Sequence, residues 1–500
     1  MYYRLPWWQN NDSLDVGLIA NRLLARRIRV YWVERAADPL EAGDYLFECD
    51  DDTATSLSAA GVTLHQWSDA LPEQSRELTC PRIALLAGEV SAYPYFGFYA
   101  LALLRLGYSY LPVDGAAIAE GALASCDLLV LPGGFATWGL DAGEGAPGAD
   151  AAVRAFIDAG GACLGSCGGA FYLSAGRPGW TGTAPVKPRY THEYLQTGAA
   201  ILNVELLQQH PLATGLPASV EIPYYHGPIY DPGALEHLEE GTGSARQVEV
   251  AGTFGSLISP SRLMIDNPVE ADKFRDEMQD RAAILAANGP RGRAILFSPH
   301  PEMGDLVRKY IALDGYVRRY LPIRGHNVMQ ATMTHYRPLD APAFRLILNA
   351  VHILAERERP AREAMPIFND GSVSSATLGD ALGDALGEAL DRVIIDEGEP
   401  QAAIALAERN ALEARIVPAV DRLFTALAAM EERGGDEARA LIHAWNHAAA
   451  AVCAHLSATA LSEHSVAQRL MDVELAVGLA ETCTALCRMD RILDQNARAH

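Results

Sequence analysis

The run Gly161-Ala162-Cys163-Leu164-Gly165-Ser166-Cys167-Gly168-Gly169-Ala170-Phe171 constrains this chain more than any other stretch. Upstream, Ala151 to Ala159 carries apolar residues at helical spacing, and downstream Ala170-Phe171-Tyr172-Leu173 reads as the start of a second helix. Between them, glycines stand two positions either side of Cys167, the pattern of a strand that turns sharply into a helix. A Cβ at either flanking position would clash, and the apex residue is held in strained backbone at the positive end of the helix. That setting favours a thiolate, so Cys167 is the candidate nucleophile. A buried cysteine in a glycine-rich packing contact is the other reading of the same residues.

The segments around this run alternate. Ile83-Ala84-Leu85-Leu86 is an uninterrupted apolar stretch, followed by a helical pattern over Phe96 to Leu106, a strand at Tyr108 to Val113 and a helix near Ala116 to Ala124. Leu128-Leu129-Val130-Leu131 then leads into Pro132-Gly133-Gly134-Phe135. Strands buried on both faces and separated by helices predict a parallel sheet, whose active sites gather at the carboxyl ends of its strands. Glu89, Gly133, Gly134 and Cys167 all fall at such ends. Residues 181–290 are looser and richer in Pro and Gly, with the aromatic cluster Pro223-Tyr224-Tyr225-His226-Gly227-Pro228 and a strand at Val248 to Ala251. A last strand, Gly292 to Phe297, runs into Ser298-Pro299-His300-Pro301-Glu302, and the helix Ala343 to Glu356 closes the unit.

At 500 residues the chain is too long for one ordinary core, and it divides into three. Residues 1–80 form a small α/β appendage in which Trp7 and Trp8 either dock a partner or cover the next domain. Residues 81–358 are the sheet domain. Residues 360–500 are alanine-rich and read as an α-helical bundle, with glycines every fourth residue (Gly379, Gly383, Gly387) that would let helices approach closely. A net charge of −23 argues against binding to nucleic acid or anionic membrane. Eight scattered cysteines and an N-terminus without an apolar signal segment fit a reducing cytoplasm.

A cysteine nucleophile needs a base and a group to hold that base. His300-Pro301-Glu302 can supply both: proline keeps His300 extended beyond its strand, and residues i and i+2 of an extended segment point the same way, so Glu302 can accept from the imidazole. Backbone N–H groups of Gly134 and Gly168, with Gly133 beside them, could hold an oxyanion, each donor being worth about 3 kcal/mol in a transition state. A tight turn is the plain alternative for the glycine pair.

In their order, Pro-Gly-Gly, Gly-x-Cys-x-Gly and His-Pro-Glu, the motifs over residues 81–358 resemble the class I glutamine amidotransferase-like superfamily. Within it they resemble the branch of the biotin-protein ligase N-terminal domains, to whose Tyr-Tyr-Asn-Gly-Gly segment Tyr224-Tyr225-His226-Gly227-Pro228 is similar. The resemblance implies a flavodoxin-like, amidotransferase-like core, with Cys167 as nucleophile, His300 as base and Glu302 as its orienting acid. It implies a substrate pocket near Gly133, Tyr224, Tyr225 and His226; Glu89 is either a pocket acid like that near the cysteine of DJ-1-type relatives or a solvated loop carboxylate. Phe171 stands where amidotransferases carry a glutamine that helps hold the substrate, which sets glutamine itself in question.

The function expected is a cysteine-dependent amidohydrolase or amidotransferase-like activity on a carboxamide or related acyl group, with no cofactor, since no P-loop or dinucleotide fingerprint occurs. The rivals are a non-catalytic binding module on the same fold and an ammonia-supplying subunit of a separate synthase, with a protein partner or self-association through the bundle. His443, His447 and His455 share a helix and read as a bundle face or, alternatively, metal ligands. Cys483 and Cys487 read as core, and Cys163 as a buried strand residue or a resolving thiol.

Overall fold

The computed structural model describes the whole chain except residues 11–12, 135–137, 190–197, 231–247, 259–268, 290–291, 308, 311–340, 356–374, 396–401, 435, 459–465 and 498–500. Phe135 and Glu356 lie outside the described residues.

Two sheets organise the chain. The N-terminal one holds β1 (Tyr2–Leu5), β2 (Val30–Val33), β3 (Tyr45–Glu48), β4 (His65–Trp67) and β5 (Ser75–Glu77), all antiparallel in the order β4-β1-β3-β2-β5. Helices α1 (Ser13–Ala25) and α2 (Asp51–Ala59) accompany it, the second capped by Asp50, whose carboxylate accepts from the Thr53 N–H. Trp7 is buried beneath the Arg345 guanidinium, 3.0 Å from its ring centre, whereas Trp8 is exposed.

The larger sheet has nine strands. Five are parallel: β6 (Ile83–Leu86), β7 (Tyr110–Val113), β8 (Leu128–Leu131), β9 (Ala162–Ser166) and β14 (Gly292–Phe297), in the order β14-β9-β8-β6-β7. Successive residues face opposite layers, as a pleated strand demands. Ile83, Leu85 and Leu164 enter one core, while Ala84, Leu86 and Cys163 enter the other. Helix α3 (Tyr95–Arg105) covers the first face, and α4 (Ala149–Asp158) and α5 (Gly168–Leu173) cover the second.

The parallel sheet expected from the strand–helix alternation is present in these five strands, and the segment between Ala199 and Gly289 adds to it. There β10 (Ala199–Leu206), β11 (Ser219–Tyr225), β12 (Val248–Leu257) and β13 (Ala282–Gly289) extend the sheet antiparallel, β13 pairing with β14. These strands are half-solvated. In β10 Asn203 and Glu205 point outward between buried Leu202, Val204 and Leu206, so the strand reads as alternation rather than as an apolar run.

Helix α6 (Ala341–Leu354) packs on the parallel strands. Beyond it lie α7 (Ser375–Asp391), α8 (Ala402–Arg433), α9 (Asp436–Ser457) and α10 (Val466–Ala497), which pack on one another, α10 also against α3. Buried ion pairs fasten them to the rest. Arg22 of α1 grips Asp490 of α10 through two bonds of 2.7 and 2.9 Å. Lys309, just after the His300 turn, bonds to both Glu408 of α8 and Glu474 of α10, and the Tyr310 hydroxyl, with one proton to give, lies 3.1 and 2.5 Å from the same two carboxylates. The glycine line of α7 meets no neighbouring backbone: the Phe424 ring lies over Gly379, and Gly387 has open space beside it.

Candidate active site

Cys167 follows the last residue of β9 and precedes the first of α5, so the chain reverses direction at the thiol. Its φ of 49° and ψ of −107° belong to no ordinary region for a residue with a side chain. Glycines make the bend possible. A Cβ at Gly169 would strike the Leu131 carbonyl, and one at Gly168 would strike the Gly134 carbonyl. The Cys167 N–H donates to Phe297 O at 2.9 Å and its carbonyl accepts from the Phe171 N–H at 2.9 Å, which ties the apex to β14 and to its own helix.

Ser166 and Phe297 are register partners on the adjacent strands β9 and β14. Cys167 and His300 are therefore delivered from the same end of neighbouring strands. His300 is buried, its N–H donating to Pro223 O at 2.8 Å. Pro301 to Met303 form a single 3-10 turn, so the geometry that brings Glu302 back to His300 is a tight turn and not the extended pair expected from the sequence. The Nδ1–Oε1 distance is 2.7 Å. Burial opposes charge on the ring, but Glu302 and Cys167, each by charge and by hydrogen bond, hold the His300 pKa well above its ordinary value. The carboxylate accepts the Nδ1 proton, leaving Nε2 as the working nitrogen.

Behind Glu302 stands a pair the sequence reading missed. Ser166 Oγ donates to Glu302 Oε2 at 2.9 Å, and the Tyr99 hydroxyl lies 2.5 Å from Ser166 Oγ. The single Ser166 proton is spent on the carboxylate, so Tyr99 is the donor to Ser166. Tyr95, one turn before Tyr99 on α3, is also near the thiol. Its phenol is pushed up to about 12 by burial and by the neighbouring Tyr225 and Cys167. The four-residue spacing of these tyrosines was the available signal, since it puts both on one helix face.

The glycine pair closes against the same point. A Cβ at Gly133 would lie 2.7 Å from His300 Cε1 and 3.6 Å from Cys167 Cβ, so only glycine lets the turn approach. Gly134 has φ of +115° and rests on the Val90 carbonyl. Buried Ser91 donates to Gly133 O at 3.0 Å, and in a trans peptide this fixes the Gly134 N–H in the opposite direction. Glu89, the first residue of a 3-10 turn over Glu89–Ser91, is exposed; Val90 and Ser91 make the contact with Gly134.

The aromatic cluster divides. Tyr224 is buried and its hydroxyl donates to Gly227 O at 2.8 Å, closing its own turn, which corrects its expected place against substrate. The Tyr225 ring is 44% exposed, while its carbonyl accepts from Cys167 Sγ at 3.1 Å and lies 3.4 Å from His300 Nε2. His226 is held at φ of 54°, its Nδ1 accepting from the Gly198 N–H at 3.0 Å. Burial, Lys273 and His300 lower its pKa to about 4, so its ring is neutral at pH 7. Phe171 is buried against Trp180, with ring centres 5.8 Å apart, and belongs to the core.

The remaining candidates are accounted for by packing. Cys163 is fully buried and its thiol is pushed up to about 12, and Cys483 and Cys487 are buried together in α10. His447 meets Phe96 edge-on, and His455 bonds Asp472 at 3.0 Å. Among the described residues no group of three His, Cys, Asp or Glu could hold a metal ion, and no helix is long and apolar enough to cross a membrane.

Residues 90–183 match the CobB/CobQ-like glutamine amidotransferase domain family, a stretch that contains the glycine turn and the cysteine elbow. No curated protein matches the chain. Among solved structures, a glutamine amidotransferase from Thermotoga maritima overlaps 55% of this chain and 98% of its own, with 12% identity and a TM-score of 0.33. A protein described as a GMP synthase subunit, from Thermoplasma acidophilum, overlaps 44% and 85%, with 14% identity and a TM-score of 0.29. These overlaps are too loose to carry a functional statement, whereas the family match makes this part of the chain glutamine-amidotransferase-like.

Proposed function

We propose that the protein is a cysteine-dependent amide hydrolase or amidotransferase-like enzyme in which Cys167, His300 and Glu302 act as nucleophile, base and orienting acid. The carrying observation is that Cys167 and the His300 ring, whose Nδ1 is bonded to Glu302, leave the same end of adjacent strands and close on the same glycine, Gly133. The Cys167 thiol passes its proton to His300 Nε2 as the sulfur attacks the carboxamide carbon, and the oxygen of the resulting tetrahedral adduct is met by the Gly134 and Gly168 N–H groups. His300 Nε2 gives its proton to the departing nitrogen as the carbon–nitrogen bond breaks, leaving a thioester and ammonia or an amine. Water, deprotonated by the same nitrogen, then releases the carboxylate and restores the thiol. The core position of Phe171 argues for a substrate gripped differently from glutamine in the amidotransferases the motifs resemble. The test is hydrolysis of a panel of primary amides, glutamine included, by wild-type protein and Cys167→Ala. Ammonia release that the variant loses is the expected result, and release that it retains overturns the proposal.

One observation favours a second reading, a binding module without turnover. The Tyr225 carbonyl takes the Cys167 hydrogen bond and lies beside His300 Nε2, where a substrate carbonyl would be expected. Iodoacetamide separates the two readings. Selective alkylation of Cys167 at pH 6 supports the enzyme, and labelling no faster than that of Cys80, which is exposed, supports the module.

A further inference from the structure

We propose that Ser166 and Tyr99 are positioning residues for this site, a dry relay that locks the Glu302 carboxylate in the one orientation that pins the His300 ring. The inference rests on the reading of Cys167, His300 and Glu302 given above and extends it by two residues.

Three observations carry it. First, each oxygen of Glu302 has its own donor: Oε1 takes the His300 ring at 2.7 Å and Oε2 takes the Ser166 hydroxyl at 2.9 Å. A carboxylate gripped on one oxygen alone can rotate about its last bond, whereas one gripped on both cannot. Second, Tyr99, Ser166, His300 and Glu302 are all at most 2% exposed, so water cannot replace a missing donor without entering the core. Third, the relay is built from the elements that carry the site. Ser166 is the last residue of β9, directly before Cys167, and Tyr99 lies on α3, which covers that face of the sheet. With Tyr99 donating to Ser166 and Ser166 to Glu302, each hydroxyl proton points toward the negative charge. The relay therefore fixes the carboxylate and, through it, the imidazole ring.

The experiment is the rate of Cys167 alkylation by iodoacetamide between pH 5 and 9, followed by mass spectrometry of the Cys167 peptide in the full chain. Wild type is compared with Ser166→Ala, Ser166→Thr and Tyr99→Phe, and circular dichroism checks each fold. Rapid wild-type alkylation at pH 6 that falls about tenfold in Ser166→Ala and severalfold in Tyr99→Phe, with Ser166→Thr restoring most of it, is the result expected. Folded Tyr99→Phe and Ser166→Ala proteins with the wild-type pH profile overturn the relay and leave the nucleophile intact. Tyr99→Phe removes one oxygen and keeps the ring, so it decides the matter even where Ser166→Ala fails to fold. A wild-type Cys167 that alkylates no faster at pH 6 than exposed Cys80 overturns the underlying reading, and the relay with it.

Discussion

Gly133 and His300 are so closely apposed that the hydrogen of the glycine occupies the one space between the turn after β8 and the imidazole edge. A Cβ there would sit 2.7 Å from Cε1. Gly133→Ala must therefore push the ring away from Glu302 and Cys167. The expected outcome is a folded protein that loses about a hundredfold or more in amide hydrolysis, the scale of general acid–base catalysis. A thermal melt alongside the activity assay separates displacement from unfolding.

Glu302→Gln keeps the size of the side chain and removes its charge. Without the carboxylate, burial acts on His300 with less opposition, and its pKa falls from the raised position that Glu302 and Cys167 maintain. Alkylation of Cys167 at pH 6 should slow about tenfold, with little change at pH 9. An unchanged profile would falsify the orienting role.

Lys309 lies between two buried carboxylates, Glu408 and Glu474, and Arg415 reaches the second of them at 3.1 Å. Burial disfavours ionised Glu474, yet Lys309, Tyr310 and Arg415 lower its pKa. Lys309→Met leaves two like charges facing each other in low dielectric. Breaking a buried pair in this way typically costs about 3–5 kcal/mol, and chemical denaturation of the full chain measures it.

Acid should destabilise the fold through two histidines that are neutral in it. His352, between the hydroxyls of Tyr45 and Tyr108, has its pKa lowered to about 3 by burial and by Arg345 and Arg76, and His226 is lowered to about 4. Their ordinary value is 6.5. Between 6.5 and about 4 the unfolded chain binds protons that the folded one refuses, so stability is complete above 6.5 and declines as pH falls through that window. His300 has the opposite sign: its raised pKa gives stability that is full below 6.5 and is lost as pH rises through the folded value. Melting temperatures from pH 7 to 4.5 should fall, and His352→Gln should flatten the slope while lowering the value at pH 7.

The parallel strands were legible because continuous apolar runs such as Leu128 to Leu131 have no other good interpretation, and the cysteine elbow because glycine spacing marks it. The antiparallel extension was not, since a strand with one wet face, such as Ala199 to Leu206, sits among Pro- and Gly-rich turns that mask its period. The strand pattern put Glu89, Gly133, Gly134 and Cys167 at one end of the sheet and the His-Pro-Glu triplet offered His300 as the base; Gly133, Cys167 and His300 do meet at the carboxyl ends of β8, β9 and β14, while Glu89 is exposed. Ser166 was not legible because its part depends on a hydroxyl meeting a carboxylate 136 positions away in sequence, and Tyr99 offered only its helical spacing from Tyr95.

The register of Ser166 opposite Phe297 has one more consequence. Thiol and imidazole ride on adjoining rails of a single ladder, so their gauge is inherited from the rung spacing of about 4.8 Å common to every pleated sheet. The long excursion between the two rails returns to the tips through the Pro223 and Tyr225 carbonyls, so its outer parts are where a different workpiece would be accommodated without altering the jaw width.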